Sequence, residues 1–363
     1  MSTGDSDCFE HFGYADFRSS SADRSASRTP ICPVKDCSTK LSSAPFGKRE
    51  KPYCLIHGLR LHSNTFVYWN GDEYRDDARL RNFRILPELA RNVALNSPEK
   101  AETHRLGYEM SEDALTWNVF VGLAKAKKLS HALKVLTGRQ VAAEPILCLW
   151  GKPINVENPE THAEVFPELS KIRNSLEHDI GKFKTEPDAM LVVPGSGAIV
   201  VCIEAKFGSG NTLAHDHEAE AKKGEKPVGR NGLLARYLEN KETPIETKRI
   251  IDGKQILSAS KFHSQLFRNV VFASAMANGG EWHVVNLVSE TQRKHGKESQ
   301  HCSFDNPEEA VRSYLHQDKK KCFTYRTWEG LYKESIRDDA NLAELNDYFR
   351  KKSAHYLPAF ELT

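Results

Sequence analysis

The stretch Pro187-Asp188-Ala189-Met190-Leu191-Val192-Val193-Pro194-Gly195-Ser196-Gly197-Ala198-Ile199-Val200-Val201-Cys202-Ile203-Glu204-Ala205-Lys206 decides the fold of this chain. From Ala198 to Ile203 odd and even positions are apolar alike, the pattern of a central strand covered on both faces. Ala189 to Val193 reads as its partner strand. The Pro194-Gly195-Ser196-Gly197 link carries the residues of a tight connection, so the two runs are expected to form an antiparallel hairpin. Asp188 then falls at the open end. Glu204 and Lys206 are two residues apart, so both project to one face of the sheet while Ala205 projects to the other. These three charged side chains are expected to converge.

Carboxylates that converge at the end of a buried strand repel one another and hold protons more tightly unless a cation lies between them. A hard divalent ion meets that need, because Mg²⁺ or Mn²⁺ takes oxygen ligands from one or two carboxylates, water and phosphate. Asp188 and Glu204 supply such oxygens. Lys206 would then orient or deprotonate an attacking water, or neutralise charge developing on a phosphate. The bland alternative is a pair of solvated charges, which arise often by chance in a chain that is 28% charged. Pro-Asp, hairpin and Glu-x-Lys in that order favour a site.

That order resembles the PD-(D/E)XK, or restriction-endonuclease-like, nuclease superfamily, with the likeness running from residue 106 to 290. The resemblance implies an α/β core with a mixed central sheet flanked by helices, and a Mg²⁺-dependent DNA endonuclease. Double-stranded DNA is the implied partner, a homodimer is left open, and restriction or defence against foreign DNA is the implied role. In that family a helix before the core often adds an acidic residue, and Ser111 to Phe120 resembles it. Ser111 suits the N-cap, and Glu112 shares a helical face with Leu115, Val119 and Leu123. Glu112 is therefore expected to join Asp188 and Glu204 at the metal. Its alternative role, with Asp113, is to complement the helix dipole, and Glu109 is a weaker competitor. A helix after the core can also carry a polar residue to the site, and in Lys261 to Asn269 that residue is expected to be Gln265. A surface-facing amide is its alternative. Two rival functions stand beside the endonuclease: a catalytically silent nucleic-acid-binding protein of nuclease fold, and a nuclease acting on RNA or on structured repair intermediates.

The amino-terminal third carries a second constellation. Cys32 and Cys37 are separated by four residues, Cys54 and His57 by two, and the pairs by sixteen, with Lys48, Arg49 and Lys51 between them. Three thiolates and one imidazole close a tetrahedral Zn²⁺ site with no open position, so a structural zinc module is expected over residues 29–62. Metal there replaces a core that so short a segment cannot build. Its basic residues are expected to meet DNA phosphates. Unrelated buried cysteines are the alternative. Cys8 and His11 form another short pair in surroundings that read as disordered.

The net charge of +2 lacks the basic excess of a nonspecific nucleic-acid coater, so any footprint is a local patch. Lys125, Lys127, Lys128, Lys134 and Arg139 offer one, although such runs are usually solvated helix faces. The eight cysteines do not space as a disulfide framework, and Cys148 and Cys202 sit in apolar runs as core thiols. With no leader-like start and no run long enough to span a bilayer, a cytoplasmic protein without a membrane partner is expected. Residues 1–28 read as disordered and 63–105 as a partly helical connector. Residues 208–232 read as a flexible insertion, in which His215-Asp216-His217 is a solvated loop rather than a metal site. Residues 291–363 read as a helical carboxy-terminal region whose Trp328, Leu331 and Tyr332 dock on the core.

Overall fold

The computed structural model describes residues 17, 31–46, 49–62, 65–69, 75–95, 104–158, 164–180, 184–195, 197–211, 213–214, 232–258, 262–290, 307–354 and 357–362. Cys8, His11, Lys48 and the His215-Asp216-His217 run lie outside them. The chain divides into two compact units, the first comprising Met1–Ala126, Asn155–His162 and Ile336–Thr363, the second Lys127–Ile154 and Ala163–Ser335. The segment 106–126 thus groups with the zinc-module side of the chain, and 291–335 with the sheet.

The described strands of the first unit are β1 (Ser42–Phe46), β2 (Arg49–Cys54), β3 (Leu59–Leu61) and β4 (Phe66–Tyr68), with a separate antiparallel pair, Ser353–Ala354 and Leu357–Pro358, near the carboxy terminus. Those of the second are β5 (Ile146–Leu149), β6 (Lys152–Pro153), β7 (Ala189–Val193), β8 (Ile199–Ala205), β9 (Leu213–Ala214), β10 (Phe262–His263), β11 (Glu281–Val288) and β12 (Phe323–Thr327). The longer described helices are α1 (Glu112–Lys125), α2 (Leu129–Thr137), α3 (Pro167–Leu176), α4 (Ser264–Ala277), α5 (Trp328–Ser335) and α6 (Ala343–Lys351). No described helix is long and apolar enough to cross a membrane.

The second unit is built on a mixed six-stranded sheet in the order β12-β11-β8-β7-β5-β6. The expected hairpin is present, with Ala189 opposite Ile203 and Val193 opposite Ile199 in antiparallel register. All seven residues of β8 are buried, which the absence of polar alternation required. β11 runs parallel to β8, and α4 provides the crossover between them. That crossover sets the starts of the two parallel strands so close that a Cβ on Gly280 would stand 2.6 Å from the Ala198 carbonyl oxygen. Only glycine fits there. One sheet face, including Met190, Val192, Val200, Cys202 and Val284, packs with Leu266, Val270 and Phe272 to Ala273 of α4 in a continuous apolar core. At the far edge, Trp150 and Gly151 have φ of 50° and 76°, the pair of left-handed residues that turns a two-residue hairpin between β5 and β6.

The carboxy-terminal region is not purely helical. Phe323–Thr327 adds a parallel strand to β11 at the sheet edge, its five residues being too short to stand apart from a helical background by periodicity. Trp328 is fully buried at the start of α5, and its indole N–H donates to the Lys206 carbonyl at 3.1 Å.

In the first unit, β1 to β4 form an antiparallel four-stranded sheet. One face packs Cys54, Leu59, Phe66 and Tyr68 with Cys32 and Val34, and Phe17 lies 4.9 Å from Phe66 and bridges to Val34. Phe17 is thus an ordered anchor inside a stretch that composition marks as disordered. Helix α1 starts at Ser111, whose hydroxyl accepts from the Ala114 amide at 3.2 Å as expected.

Candidate functional site

Asp188 precedes β7 by one residue, and the β7–β8 register sets it opposite Glu204. The parallel β8–β11 register sets Glu204 opposite Asn286. Residues opposite one another share a face, so Asp188, Glu204 and Asn286 form one row across three strands, on the face that α4 covers. The Ala205 amide donates to Asp188 Oδ2 at 2.8 Å and fixes that carboxylate over the strand end. Glu204 is 3% exposed and has both oxygens engaged: Lys206 Nζ donates to Oε1 at 2.7 Å and Asn269 Nδ2 to Oε2 at 2.9 Å. Lys206 is itself 6% exposed, and its backbone N–H is tied to the Leu287 carbonyl at 2.8 Å. Asn211, on the loop leaving β8, donates from Nδ2 to Asn286 Oδ1 at 3.2 Å and closes the row from its far side.

The helical residue that meets Glu204 is Asn269, not Gln265. Gln265 lies four residues earlier on α4, one turn toward the helix start and half-buried. Asn269 was legible as the one amide inside the apolar run that follows, as was Asn286 within β11; an amide in such a run has to find a partner. Another buried carboxylate, Glu177, lies outside this row and is satisfied by the Thr185 amide at 2.8 Å and the Tyr237 hydroxyl at 2.6 Å, a structural arrangement.

Glu112 begins α1 and is half-buried in the first unit, whereas Asp188, Glu204 and Lys206 belong to the second. Every residue of α1 from Ala114 to Leu123 is buried, so the face shared with Leu115, Val119 and Leu123 does not single out one direction. Glu109 is committed elsewhere, to Tyr68, Ser353 and Lys352. The basic run is partly neutralised, Arg139 lying 2.6 Å from Glu281 and Lys125 3.9 Å from Glu344.

The second constellation is assembled as the spacing requires. The ligand atoms of Cys32, Cys37, Cys54 and His57 all lie within 4.8 Å of one another. His57 Nδ1 is 3.1 Å from Cys32 Sγ and 3.5 Å from Cys54 Sγ, and Cys37 Sγ is 3.9 Å from Cys54 Sγ. A zinc tetrahedron with sulfur at about 2.3 Å has edges of about 3.8 Å, whereas a disulfide would need about 2.05 Å. The donor set and its spacing therefore fit one structural Zn²⁺. Burial pushes the Cys32 and Cys54 thiols above their usual range, and burial followed by the Arg81 charge lowers His57, which favours the neutral imidazole a metal binds. Arg81 also braces this knuckle, donating to the His57 and Gly58 carbonyls at 2.9 Å each. Arg49 and Lys51 lie on β2 rather than in a loop.

No family model, curated protein or solved structure matches this chain.

Proposed function

We propose that the second unit is a divalent-metal-dependent DNA endonuclease and that the first unit is built around a structural zinc. The observation that supports it is the row of Asp188 and Glu204 with Lys206 Nζ 2.7 Å from Glu204, all at one strand end. Burying an ion pair costs about as much as the pair returns, and a link between residues two apart ties no distant parts of the chain together. A second carboxylate in the same row points to chemistry as the reason for the burial.

Asp188 and Glu204 are hard oxygen donors suited to Mg²⁺ or Mn²⁺. When bound, such an ion polarises a scissile phosphate and lowers the pKa of water. Lys206 would hold the attacking water and balance negative charge on the phosphate, while Asn269 keeps Glu204 oriented through its other oxygen. Gln265, one turn from Asn269, would reach the substrate from α4. Double-stranded DNA is the proposed substrate, and restriction or defence the proposed setting.

The test is incubation of the purified chain with plasmid, linear, methylated and single-stranded DNA and with RNA, with and without Mg²⁺. Metal-dependent DNA cleavage is expected, and Glu204→Ala or Lys206→Ala should lower it by about 10² to 10⁴-fold while binding persists. Undiminished cleavage by Glu204→Ala, or cleavage without metal, rejects the site. Binding without cleavage of any substrate favours the silent form, and cleavage confined to RNA favours the RNA form.

A further inference from the structure

The face of the four-stranded sheet opposite the cysteine cluster is aromatic and basic. Tyr53 stands opposite Arg60, and Arg60 opposite Val67. One step along, the same register sets Lys51 opposite His62, and the ladder continues through the His62 amide to the Thr65 carbonyl at 2.8 Å. At the other end the Trp69 amide donates to the Gly58 carbonyl at 2.7 Å. Gly58 has no side chain to stand between, and the Arg60 guanidinium lies 4.1 Å from the centre of the Trp69 ring. Tyr53 meets Trp69 edge to face at 4.7 Å and 70°, and His62 meets Tyr108 at 5.5 Å and 68°. Lys51, Tyr53, His62, Trp69 and Tyr108 each keep part of their surface in solvent, while Arg60 is buried beneath them. None of the described side chains on this face is acidic.

We infer that this face of the zinc sheet binds single-stranded nucleic acid, stacking unpaired bases on Trp69 and Tyr53 while Lys51 attracts the backbone. The inference shares with the proposed function the premise that nucleic acid is the partner, and it does not require cleavage. Charge complementarity selects a polyanion. Shape then selects the strand: four strands about 4.8 Å apart span about 14 Å, too broad for a major groove about 12 Å wide. A duplex also hides the faces of its bases, whereas unpaired bases offer them to aromatic rings. The guanidinium already stacked on one side of the indole adds a cation beneath the platform.

The test is fluorescence anisotropy of the full, zinc-loaded chain with labelled oligothymidine and with a duplex of equal length, in buffer without Mg²⁺. Oligothymidine should bind, and Trp69→Ala and Tyr53→Ala should each weaken it about 5- to 100-fold, the effect of losing one base–aromatic stack. Trp69→Phe should restore most of the loss, and duplex binding should change less than about twofold, since a duplex offers no free base face. Zinc content, measured in parallel, checks that each variant is folded. Should Trp69→Ala release zinc, Lys51→Gln replaces it and is expected to reduce the salt slope for the single strand by about 0.7. Absent binding of oligothymidine, equal losses for strand and duplex in zinc-loaded variants, or an unchanged salt slope in Lys51→Gln would each overturn the inference. Trp69-dependent binding in a chain that cleaves nothing would keep the inference and remove the nuclease. Cleavage without Trp69-dependent binding would do the reverse.

Discussion

In the first unit the carboxylate of Glu109, 2% exposed, lies 3.6 Å from Lys352 Nζ; in the second that of Glu204, 3% exposed, lies 2.7 Å from Lys206 Nζ. The two buried pairs differ in what they connect. Glu109 accepts from the Tyr68 hydroxyl at 2.8 Å and from the Ser353 amide at 3.1 Å, and Lys352 reaches Asn82 Oδ1 at 3.4 Å. That cluster fastens β4, the segment before α1 and the chain after α6 to one another. Burial raises Glu109 and lowers Lys352, with each charge opposing the shift of the other. Glu204 and Lys206, by contrast, are two residues apart on one strand end, so their ion pair spans no remote segments; the tie from Glu204 to Asn269 of α4 is made by its other oxygen. A buried ion pair is therefore no mark of function in itself; what separates the two is the span of chain each one ties and the second carboxylate that stands in the row with Glu204.

The largest expected effect lies in the metal cluster that supports the first unit. Its sheet has a small apolar cluster in which two of the buried members, Cys32 and Cys54, are candidate ligands, so metal binding is expected to couple to local folding on the order of 10 kcal/mol. Cys54→Ser should release about one zinc per chain and unfold the four-stranded sheet, while the six-stranded sheet keeps its own thermal transition. Elemental analysis that finds no zinc in the unaltered chain would break this half of the comparison.

Next in size is the contrast between the lysines. Lys352→Met leaves the Glu109 carboxylate buried without its cation and should cost about 3–5 kcal/mol, with cleavage per folded molecule unchanged. Pairing it with Glu109→Gln should recover part of that loss, because the amide still accepts from Tyr68. Lys206→Met should cost stability in the same range but abolish cleavage. Chemical denaturation with an activity assay on the folded fraction separates the outcomes, and equal effects on activity from both lysines would erase the distinction drawn between the pairs.

Local pattern made the central elements legible. The apolar run of β8 and its hairpin partner, the Ser111 cap of α1, the strand β11 and the Cys-Cys-Cys-His spacing all stand in the sequence as they stand in the fold. Contacts between remote segments were not legible. Glu109 and Lys352 are 243 positions apart, and nothing local marks either as buried. Strand β12 was hidden because Phe323-Thr324-Tyr325-Arg326-Thr327 is only five residues long and carries three polar side chains, too little pattern to set it apart from its helical surroundings. Asn269 and Gln265 share a helical face, and only the rise of α4 along the sheet decides which amide reaches Glu204. For Glu112 periodicity assigns no direction, since every residue of α1 from Ala114 to Leu123 is buried.

The smallest expected effect concerns a buried histidine with no ligand role. His57 in the first unit has sulfur neighbours at 3.1 and 3.5 Å, whereas His263, 1% exposed at the end of β10, has no hydrogen-bond partner on either ring nitrogen. Burial alone lowers its pKa from 6.5 to about 4. The folded state thus holds the neutral ring, and the unfolded chain takes up a proton first as the pH falls. The stability linked to this site is complete above the unfolded value of 6.5 and is lost as the pH falls through about 4, a change of about 3 kcal/mol at about 1.4 kcal/mol per pH unit. His263→Leu removes the titration, so the stability of the second unit between pH 7 and 4 should fall about 3 kcal/mol less than in the unaltered chain. The first unit should be unaffected by the substitution. Denaturant titrations followed separately for zinc release and for the six-stranded sheet measure both. An unchanged acid slope in His263→Leu would mean that the ring is not held neutral and buried, and the second unit would then owe its acid sensitivity to its carboxylates instead.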